Sequence, residues 1–281
     1  MKNVHFSMAG TALAVLCLFS CSTDQQQTDL APTQARYPVE TAYPLQAGTL
    51  KKATFRGEPV TYRLINGEAV FQGDIILPAN ELADPERTTE GTGRTLKSLR
   101  WAGKIVYYTI NPNLPDQARV TDAIAHWEAN TPIRFVPRTT QYNYVTFQPG
   151  AGCSAYVGRV GGQQFITLSS WCTTGNTIHE IGHTVGLYHE HSRADRDNSV
   201  TVLTQNIMPG YENDFKTYVQ MNRDGFDHVG GFDFNSVMLY NSWGFSANGE
   251  PTLVKKDGST FTAQRDYLSP LDIATVQTMY P

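Results

Sequence analysis

Cysteine is scarce in this chain. Four cysteines in 281 residues are too few to build a disulfide-stapled scaffold. Charge is also thin: 17% of residues are charged, and 22 Lys and Arg stand against 26 Asp and Glu for a net charge of −4. No basic field exists to hold a nucleic acid backbone, so nucleic acid is excluded as a partner. No internal repeat is visible. The 40% hydrophobic content is enough for a packed core and excludes a wholly disordered chain. Turn formers, by contrast, are plentiful: 23 Gly and 15 Pro, with 14 Tyr, predict a loop-rich fold rather than a helical bundle. The length allows one or two domains.

Two of the cysteines, Cys17 and Cys21, lie at the start of the chain. Lys2 gives a small positive region, and Ala12 to Phe19 is apolar but too short to span a bilayer. Residues 1–21 therefore read as an export signal. The end of this stretch, Leu18-Phe19-Ser20-Cys21, resembles a bacterial lipobox, which makes Cys21 a lipidation site and a surface-membrane anchor; simple secretion is the alternative. Cys153 and Cys172 remain, in an oxidising compartment. They form either a bridge worth about 3 kcal/mol or a pair of buried free thiols.

Ser22 to Gln46 is polar and broken by prolines, and reads as a flexible tether. Short β-like pieces follow, with Asn66-Gly67 as a hairpin signal between them. Pro78 to Gly93 turns polar again and is the main boundary candidate. From Trp101 strands alternate with helices. A helix is predicted over Pro115 to Ala129, with Val120, Ile124 and Trp127 on one face, and another from about Gly175 to Val185. Beyond Asn206 the chain is irregular until a closing helix at Pro270 to Met279. This order predicts an α+β lobe followed by a lobe with little regular structure.

The chemistry concentrates in His179-Glu180-Ile181-Gly182-His183-Thr184-Val185-Gly186-Leu187-Tyr188-His189. Two histidines four apart on a helix present both imidazoles to one point, and imidazole is a good neutral ligand for Zn²⁺. Glu180 is rotated by about 100° from His179, so it can stand beside the metal and take a proton from water. A catalytic zinc site needs a third protein ligand. Gly186 can end the helix at positive φ, and His189 can then return to the metal. This longer pattern is the metzincin signature.

The run from His179 to Asp197 resembles the astacin family of zinc endopeptidases, matching Glu190, Arg193, Asp195, Arg196 and Asp197 beyond the third histidine. The resemblance covers about residues 100–281. It implies a two-lobed metzincin catalytic domain of α+β class, with a twisted mixed sheet and the active-site helix in the first lobe. It also implies that Glu190 is tied to the mature N-terminus, against a plain surface charge otherwise. Ser236-Val237-Met238-Leu239-Tyr240 is similar to the family's Met-turn, with Leu239 where the family often has His. Met238 would floor the metal. Tyr240 would ligate it at rest and donate to the oxyanion during reaction. Cys153 and Cys172 match a family disulfide; the family's second bridge has no counterpart. Substrate would lie antiparallel along an edge strand around Ser154 to Val157. No family role carries over to His191, which reads as a surface residue or a neighbour of the ligands.

Phe71-Gln72-Gly73-Asp74 resembles the family's prosegment motif, which implies that Asp74 blocks the zinc in a zymogen. The expected organisation is a signal over 1–21, tether and inhibitory prosegment over 22–94, and a catalytic domain over 95–281. An activating protease would cut before Trp101, with Arg94 preferred and Arg87 and Lys97 as neighbours. Family pockets often choose acidic residues through a basic side chain, for which Arg265 and Lys255 are candidates. The expected activity is zinc-dependent hydrolysis of peptide bonds in proteins or peptides, outside the cytoplasm. Two other readings stay open: a zinc hydrolase of cell-wall peptide amides, and a non-catalytic surface adhesin that holds zinc structurally.

Overall fold

Ten of the twelve strands among the described residues of the computed structural model belong to one continuous sheet. The structure describes Met1 and residues 39–83, 99–223, 225, 227 and 230–281. All elements below lie in the unit formed by residues 32–281. The strands are β1 (Thr49–Phe55), β2 (Glu58–Ile65), β3 (Glu68–Phe71), β4 (Ile75–Leu77), β5 (Leu82–Ala83), β6 (Ile105–Ile110), β7 (Arg134–Pro137), β8 (Tyr144–Pro149), β9 (Cys153–Ala155), β10 (Gln163–Leu168), β11 (Val200–Val202) and β12 (Leu253–Lys255). The helices are α1 (Ala118–Asn130), α2 (Thr174–Val185) and α3 (Pro270–Met279).

The sheet runs β5-β1-β2-β3-β4-β9-β10-β8-β6-β7. Strands β1 to β5 pair antiparallel, with Asn66 and Gly67 turning the β2–β3 hairpin at positive φ. The junction is β4 on β9, parallel, where Ile75 faces Ala155. Strand β9 is antiparallel to β10, and β10, β8, β6 and β7 run parallel. This is the α+β arrangement expected, with a mixed sheet and the metal-motif helix first and a largely irregular C-terminal part.

Helix α2 is buried from Thr177 through Val185, against the period of a half-wet helix, because it sits inside the main core. Trp127 of α1, fully buried, seals it and donates from Nε1 to Ile178 O at 3.1 Å. A capping box between Thr173 and Asn176 starts the helix. Gly186 ends it with φ 116°, its N–H and that of Leu187 satisfying the carbonyls of His183 and Gly182. Met238 packs against the helix at Gly182, where a Cβ would stand 2.6 Å from Met238 Sδ. The Cys153–Cys172 disulfide forms and joins β9 to the loop before α2.

Helix α1 starts later than its hydrophobic spacing predicts. Asp116 takes φ 49°, so helical geometry begins only beyond it. The flexible tether expected through Gln46 also stops short. From Val39 the chain packs, with Glu40 and Ala42 buried. Polar composition suggests a solvated segment; the Glu40 carboxylate meeting the partly buried guanidinium of Arg265 overrides it.

Candidate metal centre

Three imidazoles and one carboxylate converge in the interior: His179, His183, His189 and Asp74, all buried, with one ligand atom from each within 4.8 Å of the others. His179 and His183 come from one face of α2, as their spacing predicts. His189 returns after the Gly186 turn. Asp74 comes from the β3–β4 turn, where Gln72 and Gly73 both take positive φ.

The outer nitrogen of each histidine is committed. His179 Nδ1 donates to Val237 O at 2.8 Å, His183 Nδ1 to Leu187 O at 2.8 Å, and His189 Nδ1 to Gln72 Oε1 at 3.3 Å. A carbonyl oxygen can only accept, so the proton sits on Nδ1 and each Nε2 turns a lone pair inward. Asp74 Oδ2 lies 3.2 Å from His179 Nε2 and 3.1 Å from His189 Nε2, and Oδ1 lies 3.6 Å from His183 Nε2. Four acceptors therefore face one another with no proton to share. Among the described residues, His183 Nε2 and Asp74 Oδ1 have no hydrogen-bond partner. Such an arrangement is repulsive alone and suits a cation at its centre. Burial also pushes the His189 imidazole down to about 4, which keeps it neutral, as a metal ligand must be. Nitrogen donors with one carboxylate fit Zn²⁺.

Glu180 lies beside this cluster, fully buried, and neither carboxylate oxygen has a hydrogen-bond partner among the described residues. Burial raises its pKa well above the usual range, and the charges of Asp74 and Glu40 add to the effect. Tyr240 is buried with its ring 4.5 Å from that of His189, and its hydroxyl donates to Gln72 O at 2.5 Å. Met238 lies beneath the helix, and its O accepts from Glu190 N at 3.0 Å.

Glu190 is buried, and Oε1 accepts from Asp233 N at 2.8 Å with Arg193 Nε 3.5 Å away. Burial pushes its carboxyl up to about 8. It borders a cavity of about 90 Å³ lined also by Leu99, Arg100, Asp272 and Met279. His191 is not a surface residue: it is fully buried, its ring 4.0 Å from that of Tyr240. Arg265 reaches the site region and pairs with Glu40. Lys255 does not; its Nζ lies over the Phe234 ring at 4.9 Å. Cys21, Arg87, Arg94 and Lys97 lie outside the described residues.

Sequence reasoning missed the supports. Asp272, capping α3, accepts from Ser236 Oγ at 2.7 Å and Val237 N at 2.9 Å, and so fixes the carbonyl that orients His179. Gln72 holds His189 and Tyr240 at once. Neither residue carries a spacing signal; only the capping pattern Ser269-x-x-Asp272 was there to be read.

Residues 93–281 match the family model described as Astacin (Peptidase family M12A). The chain belongs to the astacin family. As an astacin it shares 35% identity over 301 residues with Blastula protease 10 of Paracentrotus lividus, covering 100% of this chain and 49% of that protein. It is 33% identical over 218 residues to Zinc metalloproteinase nas-4 of Caenorhabditis elegans, covering 74% of this chain and 68% of that protein. The chain spans about half the length of the first curated relatives it matches. Among solved structures, High choriolytic enzyme 1, a hatching enzyme zinc-protease from Oryzias latipes, superposes with a TM-score of 0.59 at 28% identity, covering 64% of this chain and 92% of that one. The metal that this astacin site fits is zinc.

Proposed function

We propose that this astacin is an exported zinc endopeptidase made as a latent precursor, with Asp74 standing where the attacking water must stand. The position of the Asp74 carboxylate among three Nε2 atoms carries this reading. His179, His183 and His189 hold the zinc, which when bound supplies Lewis acidity that acidifies water and polarises the scissile carbonyl.

Glu180 takes a proton from the attacking water and passes it to the leaving amine. Its burial without hydrogen-bond partners supports this role, since a raised pKa lets the carboxyl hold the proton between the two transfers. Tyr240, freed from Gln72, turns its hydroxyl to the developing oxyanion; it is also the candidate ligand of the resting site. An adhesin would have no use for two unpartnered carboxylate oxygens buried beside the metal.

Substrate lies antiparallel along β9 around Ser154 to Val157. In the latent chain β4 occupies that edge in the parallel sense, with Ala155 N donating to Asp74 O at 3.0 Å. A segment laid in this direction fills the cleft without presenting a bond for cleavage. Arg265 is the basic side chain that faces the substrate residue after the scissile bond.

Activation follows cleavage before Trp101 by another protease, at Arg94 with Arg87 and Lys97 as neighbours. Glu190 then receives the new terminal ammonium in the cavity beside it. Residues 1–21 direct export, and Cys21 anchors the chain to a membrane surface. The Cys153–Cys172 bridge supports an oxidising compartment.

The test is a metal-exchange assay on the chain after limited trypsin treatment. Hydrolysis of an unstructured protein should stop with a chelator and return with zinc. Hydrolysis that persists in the zinc-depleted chain would overturn the reading.

A further inference from the structure

Glu40 lies 225 residues from Arg265 in sequence and on top of it in space. Arg265 donates to its carboxylate from Nε, and from Nη2 at 2.9 Å. Asn176 Nδ2 adds a third donor at 2.7 Å. Burial pushes the Glu40 carboxyl up, but the Arg265 charge, then the nearby His179 and the Arg265 hydrogen bond, outweigh it and hold the group at about 2.

Contacts other than those to Glu40 also hold Arg265 and Asn176. Arg265 is oriented by Nη1 donating to Gln264 O at 2.7 Å and Nη2 to Leu239 O at 3.0 Å. Its backbone comes so close to α2 that a Cβ at Gly175 would stand 1.4 Å from Arg265 O. The Asn176 amide cannot flip, because Oδ1 accepts from Thr173 N at 2.7 Å and Thr173 Oγ1 at 2.8 Å. Among the described residues the donors toward Glu40 are N–H groups, so the site suits a carboxylate and penalises a carboxamide, which would leave a partly buried guanidinium without its counter-ion.

Two main-chain bonds link the occupant to the cleft. Cys153 N donates to Thr41 O at 3.0 Å, and Ala42 N donates to Gly73 O at 2.8 Å, next to Asp74. A peptide antiparallel to β9 carries its residues beyond the scissile bond toward Cys153. Glu40 therefore lies on that side.

We propose that Glu40 is a second inhibitory latch, which fills a carboxylate-binding site made by Arg265 and Asn176, and that Asn176 is the second determinant of that site toward substrate. The proposal rests on the reading of Arg265 as the side chain that faces the residue after the scissile bond. Asp74 closes the metal; Glu40 closes the specificity pocket, and none of its contacts involves a metal ligand.

Amide hydrogen exchange on the full chain tests the latch without turnover. In zinc-depleted protein, Glu40→Gln should speed exchange across residues 39–45 and 70–77 by about tenfold or more, as expected when one partner of a buried pair is removed. Glu40→Ala should do the same, which guards against a rescue by the carboxamide. Unchanged exchange in both variants overturns the latch. For Asn176, the variant Asn176→Asp keeps the acceptor that caps α2 and removes the donor. After activation its preference for a peptide with Glu over one with Gln after the scissile bond should collapse about tenfold or more relative to the unsubstituted chain. A preserved preference overturns the role of Asn176. If the activated unsubstituted chain cleaves neither peptide, the endopeptidase reading fails, while the exchange arm still decides the latch.

Discussion

The hydroxyl of Tyr240 donates to the backbone carbonyl of Gln72 at 2.5 Å, across 168 residues of sequence. Gln72 also accepts from His189 through its side chain and stands two residues before Asp74. One turn of chain thus engages a candidate metal ligand, a candidate oxyanion donor and the metal position together. For Tyr240→Phe, the activated enzyme should lose about 10²- to 10³-fold in kcat, the usual cost of one oxyanion donor, with KM little moved. Steady-state kinetics on one peptide separate the two. A rise in KM with kcat unchanged would place Tyr240 in ground-state binding instead.

Asp74→Ala should make the uncut chain hydrolyse peptides, because it removes the carboxylate from among the three histidines while the Nδ1 contacts of His179 to Val237 and of His183 to Leu187 remain. The check is peptidase activity of the intact chain, with its length confirmed by mass. Continued latency would leave strand β4 or Glu40 as the dominant block.

Glu190→Gln separates precursor stability from enzyme activity. Its carboxyl is pushed up to about 8 by burial, so it is largely protonated in the uncut chain near pH 7 and resembles the amide. The melting temperature of the uncut variant should therefore shift little. After activation the variant should lose activity, because an amide cannot pair with the incoming ammonium. A large loss of precursor stability with full activity would contradict the assigned role.

Acid should loosen the N-terminal segment. The Glu40 carboxyl sits at about 2 in the fold against 4.5 when free. A depressed carboxylate contributes stability that is fully present above about 4.5 and is lost as pH falls from there through about 2. The contribution at stake is on the order of 3 kcal/mol. Protease susceptibility of residues 39–83 should rise across that window, and the rise should be smaller in Glu40→Gln. Loosening confined to pH above 5 would point to other groups.

The metal helix was legible because its ligands obey a local period: His179 and His183 share a face by spacing, and Gly186 announces the turn that brings His189 back. The closing helix from Pro270 to Met279 was legible as well. Other parts were settled by contacts distant in sequence. Glu40 looked like one polar residue in a proline-broken tether, and only the fold shows Arg265 waiting for it. His191, two residues after the candidate ligand His189, gave no sign that it would be buried against Tyr240. Of the five-stranded extension of the sheet, the β2–β3 hairpin was legible from its β-like pieces and Asn66-Gly67, whereas strands as short as β4 and β5 leave almost no period to read.

The most direct test of the central claim is the zinc content and peptide turnover of Glu180→Gln after activation. The variant should hold one zinc per chain, since His179, His183 and His189 are untouched, and should lose turnover by about 10²-fold or more, the contribution of a lost general base. Turnover near that of the unsubstituted enzyme would contradict the account.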